Sequence, residues 1–172
     1  VTDTTKLHAS DGATSDESKK PQAPLGGTRV VISQGSTARY IVQEQLASLE
    51  VPNNAIGSTP DIYGSIIFQP NGTIQESLSV VKVDLRTLRS DKARRDNYLR
   101  SNTFQSKTFP FAEFVVRQAP GLPWPLPTTG DMIFQLIGDM TIHGVTAPLV
   151  WDINVSVVSE VAKGTAKTNF SF

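Results

Sequence analysis

Residues 149–157 read "LVWDINVSV", with Leu149, Trp151, Ile153, Val155 and Val157 in one phase and Asp152 and Asn154 in the other. A period of two marks a half-buried β-strand, because successive side chains leave the pleat on opposite faces. The same beat recurs at Ala38, Tyr40 and Val42, at Ile62, Gly64, Ile66 and Phe68, and through the run from Leu78 to Leu85. It returns at Ala112, Phe114 and Val116, then at Met132, Phe134, Leu136, Gly138 and Met140, and last at Ala166, Thr168, Phe170 and Phe172. "PNG" at Pro70 to Gly72 and "HGVTAP" from His143 punctuate these runs as turns, and Gly64 inside its strand marks a bend or bulge. About eight strands at regular spacing predict a mainly β, antiparallel barrel or sandwich.

One segment breaks the pattern. Ser90 to Arg100 is charged and reads as a short helix, with Ser90 or Asp91 as its N-cap. Leu99 and Tyr98 give it an apolar edge, while Lys92, Arg94 and Arg95 face water. A run of about two to three turns is not stable alone, so it docks on the sheet like a lid. Two stretches read as loops: "LASLEVPNNAIGSTPD" before Ile62, and the proline-stiffened "QAPGLPWPLPTTG" after Arg117. Trp124 in the second either clamps that loop to the body or stands exposed for a partner.

Charge and composition exclude several functions. Sixteen basic residues balance sixteen acidic ones, so nothing draws the chain as a whole toward nucleic acid. The absence of cysteine rules out disulfides, thiolate zinc sites and cysteine nucleophiles. No apolar run approaches the roughly 18 residues of a membrane-spanning helix. His8 and His143 form no metal-binding pair, no G-x-S-x-G elbow or phosphate loop is present, and no cofactor is implied. Arg86, Arg89, Lys92, Arg94, Arg95 and Arg100 lie close in sequence to Asp84, Asp91 and Asp96. That pattern fits a solvated helix with local ion pairs, or an anionic head group held by one or two arginines. Residues 1–28 are polar and aperiodic and read as a flexible tether or a trimmed propeptide, leaving 29–172 as the folded domain.

"RRDNYLRSNTFQSKTFPFAEF" followed by "GDMTIHGVTAP" resembles the paired signatures of the YceI-like family. Arg95, Asp96 and Leu99 match the first, with Phe104, Pro110 and Phe114 at the expected spacing. Gly138, Thr141, Ile142, Gly144, Val145 and Thr146 match the second. The resemblance covers roughly Thr28 to Phe172 and implies a lipocalin-like antiparallel β-barrel of about eight strands, with one short helix at the barrel end. It implies a bacterial, periplasmic or otherwise exported protein that binds or carries an isoprenoid or fatty-acid-like ligand and is not an enzyme; residues 1–28, read as a tether, would then hold it to the envelope. Tyr40, Val42, Ile66, Phe68, Val81, Val83, Phe114, Val116, Phe134, Leu136, Trp151, Ile153 and Phe170 would then line the cavity, and Arg86 and Arg95 would meet a head group. A barrel packed solid, serving as a structural or adhesion module, is the rival reading, followed by a lipid-acting barrel enzyme. Tyr98 departs from the family's usual histidine, and family members continue past the position of Phe172 with a further closing strand, so either the chain is truncated there or the barrel closes another way. An open edge would invite a second copy, giving a homodimer.

Overall fold

The computed structural model describes residues 25–44 and 53–170. The expected tether, residues 1–28, lies almost wholly outside them. Ten strands and one short α-helix make up the described part. The strands are β1 (Thr28–Val31), β2 (Ala38–Glu44), β3 (Asn53–Thr59), β4 (Ile62–Phe68) and β5 (Val80–Asp84). They continue with β6 (Arg89–Ser90), β7 (Phe111–Gln118), β8 (Gly130–Ile142), β9 (Val145–Val158) and β10 (Val161–Lys167). Seven of them form one sheet in the order β1-β4-β5-β7-β8-β9-β10, and β2-β3-β6 form a second. Every pairing is antiparallel, and the large sheet curls into a half-barrel. The mainly β, antiparallel expectation holds. Among the described residues no strand pairs the two sheets into a closed barrel.

Turn chemistry sets the register of the longest hairpin. His143 and Gly144 both take positive φ, 53° and 75°, which is the two-residue turn whose twist matches the flanking strands. From it β8 and β9 pair continuously from Ile142 with Val145 to Gly130 with Val157. Pro148 therefore sits inside β9 and not in a turn. It is tolerated because β10 ends at Lys167, opposite Asp152, so among the described residues no strand there needs the missing N–H.

The stretch read as a loop before Ile62 contains β3, which pairs along its whole length with β2. Asn53, Asn54 and Gly57 look like turn residues, but Gly57 lies opposite Tyr40. A Cβ there would come within 2.1 Å of the tyrosine ring, so any larger residue would have to push that ring aside.

Nine of the thirteen buried apolar residues among those described form two clusters. Leu85, Leu88, Phe104, Ala112 and Ile142 make one, with Tyr40, Val83, Leu99 and Met140 packed against them. Ile66, Phe68, Phe114 and Val116 make the other, which Met140 also touches, so the two are continuous along one face of the large sheet. Each such side chain contributes about 1.5–3 kcal/mol by leaving water.

The helix, α1 (Ala93–Tyr98), lies at the end of the sheet where β5 leaves and β7 enters. Its N-cap is Lys92, with no side-chain cap, and neither Ser90 nor Asp91 serves. Ser90 instead gives its N–H and hydroxyl to Asp96, inside the helix. A π-helical turn, Leu99–Thr103, follows and delivers Phe104 into the first cluster. Leu99 is packed as expected, but Tyr98 is exposed.

Candidate functional site: the inner face of the large sheet

Strand register decides which side chains share a face. Val81 pairs with Phe114, Phe114 with Met140, Leu136 with Trp151 and Phe134 with Ile153. Ile62 and Gly64 pair with Val83 and Val81, and Ile66 and Phe68 follow in the same phase. Ten of the thirteen cavity candidates therefore stand on one face: Ile66, Phe68, Val81, Val83, Phe114, Val116, Phe134, Leu136, Trp151 and Ile153. Ile66, Phe68, Phe114, Val116 and Ile153 are buried, and the other five are half-buried. Leu149 and Val155 join them, also half-buried.

The remaining three stand elsewhere. Tyr40 belongs to the small sheet and reaches the first cluster from there. Val42, two residues on, is exposed. Phe170 follows the end of β10 and is also exposed.

Polar groups on this face are few. The indole N–H of Trp151 is buried without a hydrogen-bond partner among the described residues, and its ring lies 6.1 Å from that of Phe114. His143 is at the hairpin turn, its ring edge-on to Phe109. Among the described residues no three His, Asp or Glu side chains gather as metal ligands. No helix there is long and apolar enough to cross a membrane.

The two arginines expected at a head group are both at the helix end and both engaged. Arg86 gives Nε and Nη2 to Asp84 at 2.9 and 2.6 Å, and stacks 5.3 Å from the Phe111 ring. That hydrogen-bonded pairing holds the Asp84 carboxyl below its usual range and raises the guanidinium. Arg95 donates to Asp91 and, at 3.2 Å, to the hydroxyl of Ser90.

The opposite end of the sheet carries a feature that sequence reading missed. A cleft of about 440 Å³ opens between the turn at residues 70–76 and the proline-rich loop, with Phe68, Ile74, Leu122 and Trp124 as its apolar wall. Trp124 clamps the loop: its ring packs 5.5 Å from Phe68 and its N–H bonds to the Pro70 carbonyl at 3.0 Å. On the rim, Arg117 pairs with both Glu76 and Asp139. Residues so far apart in sequence carry no local signal. Only the register brings them together.

The model of the YceI-like domain matches residues 33–172, most of the chain. The chain belongs to the YceI-like domain family. Two strains of Pseudomonas putida carry a UPF0312 protein that is 37% identical to it over 76 residues, 42% of this chain and 36% of that protein. The chain thus spans about a third of the length of the curated relatives it matches. A solved polyisoprenoid-binding domain from Saccharophagus degradans, implicated in plant cell wall breakdown, superposes with a TM-score of 0.54. It shares 15% sequence identity, over 77% of this chain and 69% of that one, so the likeness is one of fold. YceI-like membership agrees with the resemblance carried by the two sequence signatures, and the antiparallel half-barrel agrees with the mainly β fold that the alternation predicted.

Proposed function

We propose that the chain binds a long-chain apolar or amphiphilic molecule, an isoprenoid or lipid, along the inner face of its large sheet, and carries or sequesters it. One observation carries this reading. Phe134, Leu136, Leu149, Trp151 and Val155 form a contiguous apolar surface that the described chain leaves only partly covered, beside the buried Phe114 and Ile153. Contiguous apolar surface left open on one sheet face is the kind of patch that marks a binding surface. Each methylene laid on it contributes about 0.8 kcal/mol, so a long chain gathers affinity without any single strong contact. The polyisoprenoid-binding relative of the same fold supports this choice of ligand. Carriage of such a ligand fits an exported protein of the bacterial envelope, acting alone or as a homodimer.

Native mass spectrometry of gently purified protein, followed by solvent extraction, tests the proposal. A bound apolar molecule of defined mass is expected. Protein that carries none, and takes up none when offered long-chain ligands, overturns it. Conversion of the bound molecule to a product would turn the carrier into an enzyme.

A further inference from the structure

The cleft at the end of the sheet away from the helix is built from two kinds of surface. Its apolar wall, Phe68, Ile74, Leu122 and Trp124, belongs to the second core cluster and so continues the inner face outward. Its rim is charged, with Arg117 and Glu76 both lining the opening. A molecule lying on the inner face with its polar end outward would place that end here.

Arg117 is not available as a simple anion site. Its Nε and Nη2 donate to the same oxygen of Asp139, at 2.9 and 2.6 Å, and its Nη1 donates to Glu76. Two carboxylates face one guanidinium, Glu76 on the rim and Asp139 beside Arg117 on β8, so the cluster at the cleft carries a net negative charge. A phosphate or carboxylate arriving there would be repelled by both acids, or would have to displace one of them. A hydroxyl or carbonyl meets no such penalty. It can accept from the guanidinium N–H groups not directed at carboxylates, and a hydroxyl can also donate to a carboxylate oxygen.

We propose that this cleft seats the head group of the bound molecule and selects an uncharged head bearing a hydroxyl or carbonyl over an anionic one. The inference rests on the proposed binding of a long-chain amphiphile. It names the end of the face at which the polar group lies and the acids, Glu76 and Asp139, that set the selection.

The test is competition. Ligand-stripped protein is loaded with an uncharged pyrene-labelled alkane, which is then displaced by a long-chain primary alcohol or by the alkyl phosphate of equal chain length. The alcohol is expected to displace the probe at about tenfold lower concentration. In the double variant Glu76→Gln, Asp139→Asn, Arg117 is released to bind phosphate, and the preference is expected to collapse or reverse. Glu76→Gln alone, a change at an exposed position, should move it part of the way. Glu113→Gln, which removes an acid paired with Lys82 elsewhere on the sheet, should leave it unchanged. The inference is overturned if the phosphate is preferred by the wild type, if the ranking survives the double and single variants, or if Glu113→Gln shifts it equally. If the probe binds and neither amphiphile displaces it, the head-group site fails while apolar binding stands. If the probe itself does not bind, the binding reading fails and takes this inference with it.

Discussion

Asp96 accepts two hydrogen bonds from Ser90, one from the backbone N–H at 2.9 Å and one from the hydroxyl at 2.7 Å. Asp96 is in the helix and Ser90 in β6, so a single carboxylate ties the helical segment to the small sheet. At 7% exposure it does so away from bulk water. Asp91, only five residues away, has a side chain 70% exposed and pairs with Arg95, whose own side chain is largely covered, at 10% exposure, rather than facing water as the sequence suggested.

Asp96→Ala is therefore expected to cost about 1–3 kcal/mol, because it strands two donors. Asp91→Ala should cost no more than about 1 kcal/mol. Urea midpoints of the two variants check this, and equal midpoints would refute the tie.

Gly64 tests the geometry of the large sheet. Its φ is +139°, and a Cβ at this position would stand 2.1 Å from the Val80 carbonyl oxygen, a backbone atom of the adjacent strand that cannot swing aside. Gly64→Ala is expected to lose about 1–3 kcal/mol or more. Gly35 also has positive φ, +90°, but nothing lies within 4 Å of where its Cβ would be. Gly35→Ala should cost only the conformational term, about 1–2 kcal/mol. Chemical denaturation of both separates close approach from φ alone.

The Asp84–Arg86 pair should make stability pH-dependent. The hydrogen bond from Arg86 lowers the folded-state pKa of Asp84 from the ordinary 3.8. A depressed carboxylate pKa means that the stabilisation is fully present above that ordinary value and is lost as pH falls through the lower folded value. Arg86→Ala should thus lower the urea midpoint at neutral pH, and the difference from wild type should shrink in strong acid. A difference that is constant with pH would show that the pair is not its source.

Alternation in sequence specified which residues share a face, but not which sheet holds them. The ten candidates from Ile66 to Ile153 that fall on one face do so because each strand keeps a period of two and its neighbours pair in phase, β7 with β8 as far as the register shift between Val116 and Gln118. Tyr40 alternates just as cleanly, yet β2 pairs with β3 in the small sheet, a non-local choice that no local pattern encodes. β3 itself was hidden because Asn53, Asn54 and Gly57 have turn-like chemistry, and the close approach of Gly57 to the Tyr40 ring becomes visible only across the pair. The same holds at the cleft. Glu76 and Asp139 reach Arg117 from a turn and from a neighbouring strand, and each looks like an ordinary surface acid when read along the chain.

Uptake of an environment-sensitive fluorescent long-chain ligand by ligand-stripped protein, compared between two single variants of β8, tests ligand binding on the inner face most directly. Leu136 points inward, paired with Trp151, and is half-buried, whereas Ile133 lies on the outer phase and is 78% exposed. Leu136→Glu places a charge on the proposed binding surface and should weaken uptake by about tenfold or more. Ile133→Glu should leave it unchanged. Leu136→Trp, which keeps the position apolar but fills the space, should also lower uptake while the fold is retained. Equal uptake by wild type and all three variants, or no uptake by the wild type, would contradict binding at the inner face.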